Sequence, residues 1–414
     1  MQERASQEKQ CAVTSARFII GDTREVLKKL PDQSVDLVLS SPPFLALRSY
    51  LPHDHPDKGK EIGSEPTPGE FIDALLDIVE ECDRVLAPHG SIAFELGDTY
   101  SGSGGAGGDY SDNGLRDGQA KFDGSGRRSR AADVAAGILA PTKRPGPKDR
   151  DSIAGWPLAK SLCMIPELFR ISLVYGLNPL TGRTTERWRA RNVVRWTRPN
   201  PPVGALADKF RPATSEMVVV CKSDKRYFDL DAVRIPSDYH RDGSESYNQK
   251  SRPGQTDRQT LHTTNPNGAP PLDWWVIPPG GYNGAHYAVM PPELCIRPIK
   301  AMCPERVCAT CGTPSERITE RESANVRTLR HRGATGVKST DLPDNAAVTT
   351  VGWTDCGRDS WRAGVVLDPF AGSGTTLMVA LGHGRDSIGI DIDSRNADLA
   401  RERVGMWLTI EDGL

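Results

Sequence analysis

Residues Asp368-Pro369-Phe370-Ala371-Gly372-Ser373-Gly374-Thr375-Thr376 follow the apolar run VVL and precede another apolar stretch. Glycines at 372 and 374 let the chain turn tightly and present backbone amides to a ligand where a helix begins. A pyrophosphate-binding turn carries a third glycine three residues after the second; position 377 is leucine, so a nucleoside without a pyrophosphate fits the spacing better. One strand later, SIGID ends in Asp391, where an acidic side chain accepts from both hydroxyls of a ribose; the alternative is a turn or a cap on the last helix. Asp22, at the end of RFIIGD, is placed either to accept from an adenine amino group or to form the turn that Asp after Gly commonly makes.

A second centre lies far from the first. The apolar run VDLVLS ends in Ser41-Pro42-Pro43-Phe44, and two prolines can neither continue a sheet ladder nor start on a helical path. Alone, this corner reads as a plain loop with Phe44 in the core. Beside a glycine turn and two acidic strand ends, it reads instead as part of a ligand site.

The elements that must position these groups follow a β-α-β rhythm. RFII (17–20) and VDLVLS (35–40) read as strands; Thr67-Pro68-Gly69-Glu70 is a capping box that starts the helix FIDALLDIVEECDRVL, which stops before Pro88; SIAFEL (91–96) is the next strand. A helix at 162–175, strands NVVRW (192–196) and EMVVVCK (216–222), and a final helix from Arg395 to about 408 complete the pattern. Residues 101–150 are rich in Gly, Ser, Asp and Arg and read as a flexible insertion; the GSGGAG within it lacks a following helix and is low complexity.

DPFAGSGTT, GID and SSPPF together resemble the DNA amino-methyltransferases that use S-adenosyl-L-methionine, in the circularly permuted β group where the catalytic motif precedes the cofactor loop. IGSEPTP, RVLAPHGSIAFELGDTY, NVVRWTRPNPP and HYAVMPPEL extend the likeness over most of the chain in the expected order. The resemblance implies a Rossmann-like class I α/β methyltransferase fold with an inserted recognition region, and methyl transfer to an amino group in double-stranded DNA. It implies that the Ser41 side chain and the Pro42 carbonyl accept from that amino group, that Pro43 fixes the corner and that Phe44 stacks on a base that has left the duplex. His286 falls in the motif that closes over the methionine end of the cofactor, although Met290 stands where an aromatic is usual. Serine at the first motif position resembles the cytosine-N4 branch, whereas aspartate is typical of adenine-N6 enzymes. Attack through the C5 carbon of cytosine needs a cysteine directly after a proline, and none of the nine cysteines follows one. The alternatives are an adenine-N6 enzyme, a non-catalytic DNA-binding protein on the same fold, and methylation of RNA or protein.

Arg183, Arg187, Arg189, Arg191, Arg195 and Arg198 interleave with Trp188 and Trp196, and only Glu186 opposes them in the sequence. This predicts a phosphate-facing surface with Arg189, Arg191, Arg195 and Arg198 on DNA, or else a solvated strand edge; Arg48 is a further candidate. Trp274 and Trp275 are candidates for stacking on bases, but packing under a loop is the favoured reading for both. Cys308 and Cys311 form a knuckle that, with Cys303 and Cys356, supplies four thiolates for one structural zinc; His331 is an alternative to Cys303, and unrelated reduced cysteines are the bland reading.

The chain has 414 residues, 37% hydrophobic and 26% charged with a net charge of −2, so any nucleic-acid binding must come from local patches. No apolar run approaches a membrane span and MQERASQEKQ has no signal-peptide core, so the expected location is the cytoplasm of a bacterium or phage-infected cell. The expected division is a catalytic half at 1–100, the insertion at 101–150, and sheet strands with the basic segment at 151–222. A target-recognition region at 223–282, the cofactor-closing motif at 283–302, a zinc-clip loop at 303–360 and the S-adenosylmethionine half at 361–414 follow. Expected partners are DNA and a cognate restriction endonuclease, with the protein a monomer or homodimer.

Overall fold

The computed structural model describes residues 14–46, 50–51, 54–101, 154–201, 208–235, 268–279, 289–321, 348–358 and 360–413. The strands are β1 (Ala16–Ile20), β2 (Val35–Ser40), β3 (Leu86–Leu96), β4 (Arg189–Thr197), β5 (Thr214–Cys221), β6 (Trp274–Val276), β7 (Val307–Cys308), β8 (Arg317–Arg321), β9 (Val348–Trp353), β10 (Trp361–Arg362), β11 (Val365–Asp368), β12 (Asp386–Asp391) and β13 (Leu408–Asp412). The helices used below are α1 (Thr23–Leu27), α2 (Pro68–Val85), α3 (Ile165–Tyr175), α4 (Pro292–Met302), α5 (Thr375–Gly382) and α6 (Arg395–Val404).

Nine strands form one sheet in the order β13-β1-β12-β11-β2-β3-β5-β4-β6. All run one way except β5, which is antiparallel to both β3 and β4. This is the Rossmann-like α/β arrangement, with helices on both faces. Alternation along the strands shows why: Ile92, Phe94, Val218 and Val220 join one apolar cluster with α2 and α3, while Ala93, Met217 and Val219 join another with α4.

Helix α2 illustrates how the sequence builds a layer. Thr67 Oγ1 accepts from the Glu70 amide at 3.2 Å and donates to the Glu70 carboxylate at 2.9 Å, and Pro68 sits at the first helical position, where its missing N–H costs nothing. Phe71, Ile72, Leu75, Leu76, Val79 and Cys82 then recur on one face, fully buried.

Several details differ from expectation. Strand β3 begins at Leu86, not Ser91, because Leu86 already pairs with Val35; the extra residues of an irregularity within β3, Ala87 to Gly90, lie opposite Asp36 before the regular pairing resumes at Ser91 and Leu37. The last helix ends at Val404, where Gly405 at φ +77° turns the chain into β13, an edge strand pairing with β1. Strand β6, in the region expected for target recognition, adds to the other edge of the sheet. The insertion at 101–150 lies almost wholly outside the described residues. Among the described residues no helix is long and apolar enough to cross a membrane.

Candidate active site

The carboxyl ends of β1, β12, β11, β2 and β3 share one edge of the sheet, and the chain winds outward in opposite directions from the β11–β2 pair. Ligands of open α/β sheets bind at such a switch point. A cavity opens there, lined by Ser41, Pro42, Pro43 and Phe44 from one side and by Phe370 to Ser373, Asp391 and Asn396 from the other. The two centres, separated by more than three hundred positions in sequence, thus face one cavity. They are joined directly: Ser40 Oγ donates to Asp368 Oδ1 at 2.5 Å, and the Phe370 amide donates to the same oxygen at 3.0 Å. Burial pushes the Asp368 carboxyl up from its ordinary range, against the hydroxyl of Ser40.

The glycine turn is held from three sides. Gly374 lies at φ +76° and a Cβ there would come within 2.9 Å of the Ala400 Cβ on α6, so only glycine lets α5 start this close. Arg403 of α6 donates to Ser373 Oγ and Thr375 Oγ1, both at 2.7 Å. Thr23 Oγ1 donates to the Pro369 carbonyl at 2.5 Å, tying α1 to the loop.

Asp391 does more than the sequence suggested. Its Oδ2 accepts from the Gly372 amide at 2.8 Å, and its Oδ1 accepts from the Asp393 amide at 2.9 Å and Asn396 Nδ2 at 3.0 Å. A carboxylate offers about four lone-pair positions, so these three donors leave about one position open. Burial pushes this carboxyl up to about 6, with the three donors pulling the other way. Asp22 caps α1 through the Arg24 amide at 3.0 Å and pairs with the Arg24 guanidinium at 2.9 Å while still lining the cavity. The turn reading of that residue is realised as a helix cap, and the side chain also borders the cavity.

At the proline corner, Ser41 Oγ donates to Glu95 Oε2 at 2.6 Å. Glu95 sits on β3, 2% exposed, and its Oε1 has no hydrogen-bond partner among the described residues. Burial pushes its carboxyl up, opposed by the hydroxyls of Ser215 and Ser41 and by the charge of Arg198. The sequence reading missed Glu95, although a charged residue inside the apolar strand SIAFEL was a signal for it. Phe44 lies against Gly97, where a Cβ would fall 2.4 Å from the ring, so the residue after β3 makes the room for that ring.

The arginine stripe is less free than its sequence implied. Arg195 pairs with Glu216 at 2.9 Å, Arg183 with Asp77 at 2.6 Å and Glu80 at 2.9 Å, and Arg189 donates to the Lys222 carbonyl. Arg198 lies 4.9 Å over the Trp196 ring and donates to Ser215 Oγ at 3.3 Å; Arg191 is exposed on β4. The expectation that only Glu186 opposes these arginines is corrected, because neighbouring strands and α2 bring acids that sequence distance hides. Trp275 packs in the core as expected, but Trp274 is 56% exposed, its indole donating to Thr197 Oγ1 at 2.7 Å. Arg48 and His286 lie outside the described residues.

Cys308, Cys311 and Cys356 converge, with all three sulfurs within 4.8 Å of one another. Cys303 does not join them. It is fully buried beside α4 and burial pushes its thiol up, so the expected fourth thiolate is a core residue. His331 lies outside the described residues.

The sequence model of the N6/N4 DNA methylase family matches residues 35–308 and 360–402, which include both centres. The chain belongs to the N6/N4 DNA methylase family. It is similar to the Type II methyltransferase M.SmaI of Serratia marcescens, 24% identical over 391 residues, covering 94% of this chain and 91% of that protein. With M.SfiI of Streptomyces fimbriatus it shares 27% identity over 217 residues, 52% of this chain but only 38% of that protein. Among solved structures, the PvuII DNA methyltransferase, described as cytosine-N4-specific, aligns over 97% of this chain and 96% of its own at 12% identity and a TM-score of 0.47. A complex of M1.HpyAVI with S-adenosylmethionine aligns over 94% and 100% at 11% identity and a TM-score of 0.37. Within this DNA methylase the glycine turn and the proline corner are parts of one cavity.

Proposed function

We propose that this DNA methylase transfers a methyl group from S-adenosyl-L-methionine to the exocyclic N4 amino group of cytosine in double-stranded DNA, with its catalytic half preceding its cofactor half in circularly permuted order. The observation that carries the reading is the Ser41–Glu95 hydrogen bond at the corner that faces the glycine turn.

The residues present suit the cofactor. Gly372 presents bare backbone to the cavity, and Asp391, which also lines it, keeps one acceptor position beyond its three donors. Gly372, Ser373, Asp391 and Asp22 would hold it, with Phe370 as an apolar wall. When bound, S-adenosyl-L-methionine supplies a methyl group activated on a sulfonium.

The chain's own task is to improve a poor nucleophile and place it. An aromatic amino nitrogen has its lone pair delocalised into the ring, and acceptors on its two hydrogens pull it toward a tetrahedral shape. Because the Ser41 hydroxyl donates to Glu95, its lone pairs are turned outward as acceptors, and the Pro42 carbonyl supplies the second. Phe44, braced against Gly97, would stack on the flipped base. Arg189, Arg191, Arg195 and Arg198 would meet phosphates along β4, and residues 223–282 would read the site. A cognate restriction endonuclease, a cytoplasmic setting, a monomeric or homodimeric state and one structural zinc belong to the same reading.

Sequencing DNA from cells that express this chain, by a method that detects modified bases, tests it. The expected signal is N4-methylcytosine at one short sequence; N6-methyladenine alone would move the enzyme to the adenine branch, and unmodified DNA would leave a binding protein on a methylase fold.

A further inference from the structure

We propose that Cys308, Cys311 and Cys356 bind one zinc-class cation, and that this centre braces the neck of the chain leading into residues 236–267, so that it governs DNA binding and not cofactor binding. The second clause rests on the DNA methylase reading above.

The three sulfurs lie within 4.8 Å of one another. Thiolates around a zinc at about 2.3 Å are spaced roughly 3.8 Å apart, so a small contraction closes the set. Soft sulfur ligands select zinc over magnesium or calcium. The backbone makes the convergence. The Gly312 amide donates to the Cys308 carbonyl at 2.9 Å and the Cys308 amide to Thr313 at 2.9 Å, with Gly312 at φ +69°, so the chain folds Cys311 back onto Cys308. Cys356 arrives on a second turn, followed by Gly357 at φ +75°, and pairing of β7 with β10 sets Cys308 opposite Trp361. Among the described residues no other His, Cys, Asp or Glu joins the group.

From this cluster a continuous run of contacts leads to the neck. Thr313 and Cys356 are each two residues from a clamp in which Ser315 Oγ donates to the Thr354 carbonyl at 2.9 Å, and the Thr354 amide returns to Glu316 at 2.8 Å. The β8–β9 ladder starts there, with Arg317 opposite Trp353 and its guanidinium 4.7 Å over that ring. Arg317 forks onto Asp229, Nη2 to Oδ2 at 2.7 Å and Nε at 3.2 Å to both oxygens. Asp229 is held in turn: its amide donates to the Ala301 carbonyl of α4 at 2.8 Å, and its Oδ1 accepts from the Ala232 amide at 3.2 Å. Three residues beyond Ala232, Ile235 and Ala269 exchange both backbone bonds at 3.0 and 2.9 Å, closing the neck, and Arg234 Nη1 reaches the Gly268 carbonyl at 3.1 Å. None of these residues touches the cavity between β11 and β2.

The experiment measures metal content of the purified full-length chain, then cofactor and DNA affinity separately by calorimetry. About one zinc per chain is expected, lost in Cys311→Ser and Cys356→Ser and replaceable by cobalt with a thiolate charge-transfer band. Chelation and Cys356→Ser should weaken DNA binding about tenfold, and Arg317→Lys should do the same with zinc retained, while S-adenosylmethionine affinity stays within about twofold. Arg317→Lys keeps the test open should a cysteine variant fail to fold. Protein purified without metal, or DNA affinity unchanged in both the metal-free and Arg317→Lys proteins, overturns the proposal. Zinc at these cysteines in a chain that binds S-adenosylmethionine but not DNA overturns its second clause and the DNA methylase reading together.

Discussion

Replacing Glu95 by Gln keeps the side chain's size but removes the charge that receives the Ser41 hydroxyl. The bond is 2.6 Å long and both partners sit at the wall of the cavity or behind it. A hydrogen bond to a charged group contributes about 1.5–3 kcal/mol and a neutral one about 0.5–1.5 kcal/mol. The difference between the midpoints, about 1.2 kcal/mol, corresponds to roughly an eightfold loss in kcat if it is expressed in the transition state. Glutamine can also present its amide N–H to Ser41 and turn the hydroxyl proton toward the base, which adds to the loss. Burial raises the Glu95 carboxyl, and the mechanism needs it ionised, so wild-type kcat should fall as pH drops through that raised value. The Glu95→Gln profile should lack this limb. The assay is single-turnover methyl transfer across pH, with DNA and cofactor affinities measured alongside. A Glu95→Gln kcat within about twofold of wild type, or an unchanged pH limb, would refute the assignment.

Asp391 titrates at about 6 because burial disfavours its charge; if the anion is the form that accepts from the cofactor, S-adenosylmethionine affinity should fall about tenfold between pH 7 and pH 5, and Asp391→Asn should bind weakly with no pH dependence by calorimetry. With a folded value above its unfolded one, the stability gained by protonating Asp391 is full below about 4 and lost as pH rises through about 6, so the ligand-free protein should be slightly firmer to urea at pH 5 than the Asp391 charge alone allows at pH 7. Asp36 is fully buried and accepts from His89 at 2.9 Å, Arg362 at 2.6 Å and the Val365 amide at 2.8 Å; Asp36→Ala strands these donors and should cost about 3 kcal/mol in urea unfolding. Although burial opposes it, the His89 and Arg362 contacts hold the Asp36 carboxyl below its ordinary range, so its contribution persists above the unfolded value and is lost only as pH falls through the lower folded one.

Much of the frame was legible because period and punctuation were local. The capping box at Thr67, the apolar run SIAFEL and the glycine turn after VVLD each declare their element within a few residues; helices follow Thr67 and the glycine turn as read, and SIAFEL lies in a strand that starts earlier, at Leu86. What was hidden depended on pairing across the sheet. Strand β13 has the charged pattern LTIED and exists because β1 offers an edge; β3 starts at Leu86 because that residue pairs with Val35 ahead of an irregularity within β3. The same reason separates the found site residues from the missed ones. Ser41 and Asp391 announced themselves by motif, whereas Glu95, Asn396 and Arg403 matter only through the partners that folding gives them. Cys303 was misassigned because sequence proximity to Cys308 says nothing of direction, and its side chain turns into the core beside α4.

The most direct measurement is mass analysis of nucleosides from DNA incubated with the purified protein and isotope-labelled S-adenosylmethionine. Label is expected in N4-methylcytosine and should be abolished by Ser41→Ala. Label found only in N6-methyladenine would contradict the choice of base, and no label in DNA would contradict the methyl-transfer reading itself.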